Sequence, residues 1–148
     1  MSEKEGKEGA AKPTADEVLS QHIGDLHYRV FKLKEHFDNL NDVIHYYLDK
    51  FGPYLPQKER TDLALLALEA DKLFVELSEL LYNIHVLRAH TQMHIDTDTI
   101  DNFSIPEKAV KELERSAREI EDKVYKFAEH LSEFIAQLSE TARREGIA

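Results

Sequence analysis

The sequence predicts an all-α protein, an elongated antiparallel three-helix bundle with heptad, coiled-coil-like packing. Three observations carry that expectation. Apolar residues recur in alternating steps of three and four along three long segments, the period that keeps one stripe of a helix facing its neighbours. Helix breakers are few, 4 Pro and 5 Gly, and only Gly24 falls well inside a segment. Two Ser/Thr-x-x-Glu boxes, Thr14 to Glu17 and Ser104 to Glu107, stand where two of the segments begin, the signature of a helix N-terminus whose free N–H groups are capped by side chains.

Residues 1–13 read as a disordered polar tail. Glu3, Glu5 and Glu8 are matched by Lys4, Lys7 and Lys12, and only Met1 is large and apolar, too little burial to offset the entropy of ordering. Residues 14–148 read as one helical-bundle domain. Its first helix is expected over 14–51, with the seam Leu19, Ile23, Leu26, Val30, Leu33, Phe37, Leu40, Ile44, Tyr47, Phe51. Gly52-Pro53 should end it: Gly takes the left-handed turn and Pro cannot continue the helix.

The second helix is expected over 56–95, with the seam Leu63, Leu66, Ala70, Leu73, Leu77, Leu80, Ile84, Leu87, followed by Thr91 and His94. Asp96 to Asn102 is rich in side chains that bond their own backbone, so it reads as a turn. The third helix is expected over 104–145. Pro106 sits in its first turn, where a missing N–H does no harm, and Val110, Leu113, Ala117, Ile120, Val124, Phe127, Leu131, Phe134 and Leu138 form its seam. Glu107–Lys111, Glu114–Arg118, Glu119–Lys123 and Asp122–Lys126 place acid before base at i,i+4 on its polar face, the better orientation for exposed pairs. Helices of this size are roughly 55–60 Å long, and short connections make sequential neighbours antiparallel. Four shorter helices would result if the first bent at Gly24 or the second broke at Thr91.

The second helix carries more apolar residues than such a bundle needs. Leu65, Leu68, Val75, Tyr82, Val86, Ala89 and Met93 fall at heptad positions c and f, opposite its seam. The first helix adds Tyr28, Phe31 and Tyr46 away from its own seam. Either this line faces another polypeptide, or the helix is buried more deeply in its own bundle. The first reading makes Leu68, Val75, Tyr82, Val86, Phe31 and Tyr28 interface residues, with Val75 and Tyr82 as anchors.

Charge narrows the partners. Asp and Glu number 29 against 19 Lys and Arg, a net −10. A chain of that sign has no global attraction for phosphate backbones or anionic membrane surfaces, so neither nucleic acid nor a membrane is expected as a partner. The longest apolar run, Leu63 to Leu68, falls far short of the ~20 residues that span a bilayer. The N-terminal residues form no export signal, and a cytoplasmic location is expected. With 0 Cys, no disulfide, thiolate metal site or Cys nucleophile can form.

Eight His give the remaining chemistry. His90 and His94 are i,i+4 neighbours, a spacing that can chelate an ion. If the first two helices fold back on each other, His22 and His27 come level with His85 and His90. Any metal site would therefore draw on His90, His94 and His22, whereas the plainer reading is solvated His on helix surfaces. The chain has no Glu-x-x-His, which a di-iron bundle requires. Asp96 to Glu107 matches a calcium loop only in part, because Ile100 replaces an oxygen ligand and Asp101 the turn Gly. No cofactor is expected.

Arg88-Ala89-His90-Thr91-Gln92-Met93-His94 closes the second helix, and Ser104 to Ala109 opens the third. Over residues 80–120 this resembles the Arg-x(4–6)-His segment of HEPN-type helical proteins. The resemblance implies a metal-independent ribonuclease, or a toxin–antitoxin component, with Arg88 and His94 paired across a dimer. A second match in spacing, Arg29 to His36, lies mid-helix. The residue pattern itself favours a non-catalytic helical assembly module. It would self-associate as a homo-oligomer, most simply a dimer, or dock another helical protein.

Overall fold

The computed structural model describes residues 15–97 and 104–146, and within them the side chains of 17–93 and 107–146. Helix α1 is Ala15–Phe51, a 3-10 turn follows at Gly52–Tyr54, α2 is Gln57–Thr97 and α3 is Ser104–Glu145. Among the described residues there is no strand. Each helix packs on both others, so the fold is a three-helix bundle. The polar tail, the Thr14 cap, the side chains of the Ser104 cap and residues 98–103 of the calcium-like loop lie outside the described residues.

Cross-helix contacts fix direction and register. The His27 and His85 rings lie 4.7 Å apart, and Lys34 Nζ sits 4.9 Å above the Phe74 ring, so α2 runs against α1. Lys123 donates to Glu76 at 2.8 Å, and His130 Nδ1 lies 3.3 Å from Glu69, so α3 runs against α2. Arg29 holds Glu121 through Nε at 3.2 Å and Nη2 at 3.0 Å, and Phe37 meets Phe127 further along both helices, so α1 and α3 run parallel. Exposed pairs like these are each worth roughly 0–1 kcal/mol; they pin the register more than they stabilise.

The stabilisation is in the seams. Every expected seam residue whose side chain is described is buried or packed against the core, with Val30, Phe37, Ile44, Leu77, Ile84, Val124 and Phe127 at 0% exposure. The Phe37 and Phe127 rings meet 5.8 Å apart at a 45° tilt. The registers above place Ala70 and Leu73 level with them, so a small side chain leaves room for two aromatic ones, as close packing demands. The chain neither bends into a fourth helix at Gly24 nor breaks at Thr91: α1 and α2 are each continuous.

Some local expectations are corrected. Gly52 does not adopt the left-handed turn; among the described glycines only Gly146, after α3, has a positive φ, 69°. The chain instead tightens from α1 into the 3-10 turn, which suits the fixed φ of Pro53. Leu55 N–H closes that turn on the Gly52 carbonyl, and its side chain is buried under the end of the core. Helix α2 starts one residue late because Pro56 supplies the first acceptor, to Arg60 N–H at 3.0 Å. Lys123 reaches across to Glu76 rather than back to Glu119.

Two seam positions are polar. Thr141 Oγ1 donates to Glu59 at 3.2 Å and accepts from Arg144 at 3.4 Å. Thr91 is 3% exposed, and among the described residues its hydroxyl has no partner. An unpaired buried hydroxyl costs on the order of 1–3 kcal/mol. Thr91→Val, which keeps the shape, should therefore raise the urea-unfolding free energy by about 1 kcal/mol; a loss would show that the hydroxyl is bonded. A Cβ added at Gly24 meets nothing within 4 Å. Gly24→Ala should stabilise α1 by ~0.5–1 kcal/mol in the same assay, and an unchanged midpoint would count against this account.

Candidate functional site

The c and f positions of α2 form a second heptad line: Leu65, Leu68, Lys72, Val75, Glu79, Tyr82, Val86, Ala89, Met93. The steps of three and four never lapse, and only Lys72 and Glu79 are charged. All nine side chains are exposed, and the large apolar ones range from Val86 at 38% to Tyr82 at 67%. The alternative of deeper burial within the bundle is thus excluded, because α1 and α3 both pack on the other side of α2. From Leu65 to Met93 the line is about 42 Å long.

The sides of α2 explain which face is left over. Glu69 and Glu76, at heptad position g, turn toward α3 and meet His130 and Lys123. Phe74 and His85, at positions e and b, turn toward α1 and meet Lys34 and His27. Among the described residues, no helix packs on positions c and f. On α1, Phe31 is 44% exposed and its ring lies 6.3 Å from that of His27. Phe31 therefore lies on the α2 side of α1, level with residues between Phe74 and His85. Tyr28, 63% exposed, stands at the adjoining outward position under Lys32, 5.6 Å from the ring centre. These two side chains flank the middle of the α2 line.

Tyr46 is elsewhere. It packs edge-on against Tyr47 and Phe51 and lines a groove with Tyr54, Leu55, Leu138 and Ala142 at the turn end of the bundle. The residues alone show its density, four aromatics between Tyr46 and Tyr54 counting those two, but only the 3-10 turn brings Tyr54 back onto it. Phe74, half exposed beneath Lys34, also escaped the sequence pattern because it falls at position e.

The His residues divide between faces. His27 and His85 do meet across α1 and α2. His22 instead lines a groove between α1 and α3 with Glu107, Lys111 and Glu114, while His90 is exposed on α2. The expected set His90, His94 and His22 thus spans different faces as far as it is described; the His94 side chain lies outside the described residues. Among those residues no three His, Asp or Glu side chains converge as a metal site. Arg88 is exposed on α2 near His27 and His85, and its expected partner His94 falls under the same limit. Among the described residues no helix is long and apolar enough to cross a membrane.

No family model, curated protein or solved structure matches this chain.

The contact of His27 with His85 and Arg88 has a pH signature. Burial holds the His27 imidazole below its ordinary value of 6.5, and His85 and Arg88 push it lower. Folding therefore opposes its protonation. That contribution to stability is intact above pH 6.5 and is lost as pH falls through 6.5 toward the depressed folded value. His27→Gln should make the fall in melting temperature between about pH 7.5 and 5 shallower than in the parent protein. Identical pH profiles would mean that His27 titrates normally.

Proposed function

We propose that this chain is a non-catalytic helical assembly module that binds a helix of another polypeptide, a second copy or a helical partner, along the outward face of α2. The observation that carries the reading is the unbroken second heptad line from Leu65 to Met93, exposed along its whole length. Seen face-on it covers on the order of 400 Å², about 42 Å by one helix diameter of ~10 Å. That is the size at which the largest apolar patch of a protein is often functional. A heptad line is also the complement of another heptad line, since its knobs need the holes of a facing helix.

Val75 and Tyr82 are the anchors, central in the line and without cover from α1 or α3. Tyr82 offers an aromatic body with a polar tip, a side-chain type enriched where binding energy concentrates. Phe31 and Tyr28 widen the contact beside it. The expected location is cytoplasmic, and no cofactor is needed.

Changing Val75 and Tyr82 together to Lys should leave helix content and melting temperature within about 2 °C of the parent, because neither side chain touches the core. It should abolish association, read as solution mass by light scattering over a range of concentrations, and as retention of any helical partner chain. An assembly or partner held equally by parent and variant would overturn the assignment.

A further inference from the structure

We infer that the occupant of the α2 face is a second copy of this chain, docked antiparallel about a two-fold axis near Leu77. The inference rests on the assembly reading above and commits it to one partner and one orientation. The argument comes from the charges in and beside the line.

Lys72 and Glu79 occupy consecutive c positions, and neither makes an ion pair within the chain among the described residues. A parallel pair of α2 helices would set Lys72 on Lys72 and Glu79 on Glu79. An antiparallel pair that matches c positions to f positions separates the like charges and puts each Lys72 one layer from a Glu79. Its layers are Leu65 on the second copy's Ala89, Leu68 on its Val86, Lys72 on its Tyr82 and Val75 on its Glu79, each occurring twice. Lys72 then stands one layer, about 4.5 Å along the axis, from the second copy's Glu79. That offset is within reach of a flexible Lys side chain.

The flanks agree with this register. Between Gln57 and Glu79 the helix carries six acids and three bases, whereas from Leu80 to Ile95 it carries no acid, with Arg88, His85 and His90 among its residues. Antiparallel docking lays the acidic half on the basic half. It brings Asp71, which has no ion-pair partner within the chain among the described residues, beside the second copy's His85. Parallel docking lays acid on acid. Opposed charges of this kind select orientation in helix pairs.

The footprint also sets the strength. A face one helix wide, about 400 Å² in projection, is a narrow contact beside a standard interface, which buries ~800 Å² of accessible surface per partner. The dimer is accordingly reversible and concentration-dependent, with Phe31 and Tyr28 at its edge.

Sedimentation velocity on the intact chain tests the charges. Lys72→Glu alone and Glu79→Lys alone should each raise the dimer dissociation constant at least tenfold without changing the melting temperature. The double variant Lys72→Glu/Glu79→Lys restores the pairing and should return the constant to near the parent value. Orientation is read separately, because the chain has 0 Cys. Leu65→Cys mixed with Ala89→Cys should form an interchain disulfide, and Leu65→Cys alone should not. Self-linking of Leu65→Cys would overturn the antiparallel dimer while leaving the assembly reading intact. A parent protein that stays monomeric up to about 1 mM would overturn the second copy as occupant. An assembly that the Val75/Tyr82 variant retains would overturn the reading beneath it.

Discussion

The structure depends on one constraint, the mismatch between an apolar repeat of 3.5 residues and a helix that needs about 3.6 per turn. A strict repeat keeps its stripe on one side only if helices lean on each other along their length. The three seams of this protein hold that repeat for nine or ten positions each, so burial is spread evenly from Leu19 to Phe51 and back. No single layer dominates, although the Phe37–Phe127 contact is the bulkiest. Ion pairs then select among registers that the apolar repeat alone would leave nearly equal. Arg29 with Glu121, Glu76 with Lys123, and Glu69 with His130 are each tied to one register.

Most of the fold was legible because periodicity is a one-dimensional signal. The seams and the helix limits follow from step lengths and breakers, and the boundaries agree within two residues where they are described. The misses occur where one helix must know where another is. Lys123 has a base-favouring acid at i−4, but Glu76 lies closer across the groove. His22 and His90 come level along the bundle, yet they sit on different sides of it, because level is set by the fold-back and side by the heptad position. Leu55 falls outside every repeat and is buried by the turn that carries it. Gly52 looked like a left-handed stop, but the following Pro already suited a 3-10 turn and no left-handed residue was required.

The candidate surface was legible as a list of residues and not as a surface. Sequence alone could not tell an outward stripe from a more deeply wrapped helix, since both need apolar c and f positions. The packing of α1 and α3 on opposite shoulders of α2 decides between them. It also separates Tyr46, which belongs to the aromatic end of the bundle, from Tyr28 and Phe31, which stand beside the stripe. Lys72 and Glu79 interrupt the run of apolar c and f residues. With the helix continuous and the face bare, they become members of a nine-position line that happen to be charged.

Those two residues bear on why such a face can exist. An uninterrupted apolar stripe of this length would bind any similar stripe in either direction and in several registers, including those of partly folded chains. A charge placed inside the line weakens every alignment that leaves it without a counter-charge, and the cost grows as the contact becomes drier. Lys72 and Glu79 are one heptad apart and opposite in sign, so reversal of the helix brings both Lys–Glu pairs together at once, whereas a parallel copy forms neither in register and only one when staggered by a heptad. The same logic explains the distribution of the remaining acids. Glu69 and Glu76 are engaged by α3, whereas Asp71 on the other shoulder is left open to solvent. Contacts within the chain thus engage one flank of α2, and Lys72, Glu79 and Asp71, which make no ion pair among the described residues, are the charges able to tell one approach from another.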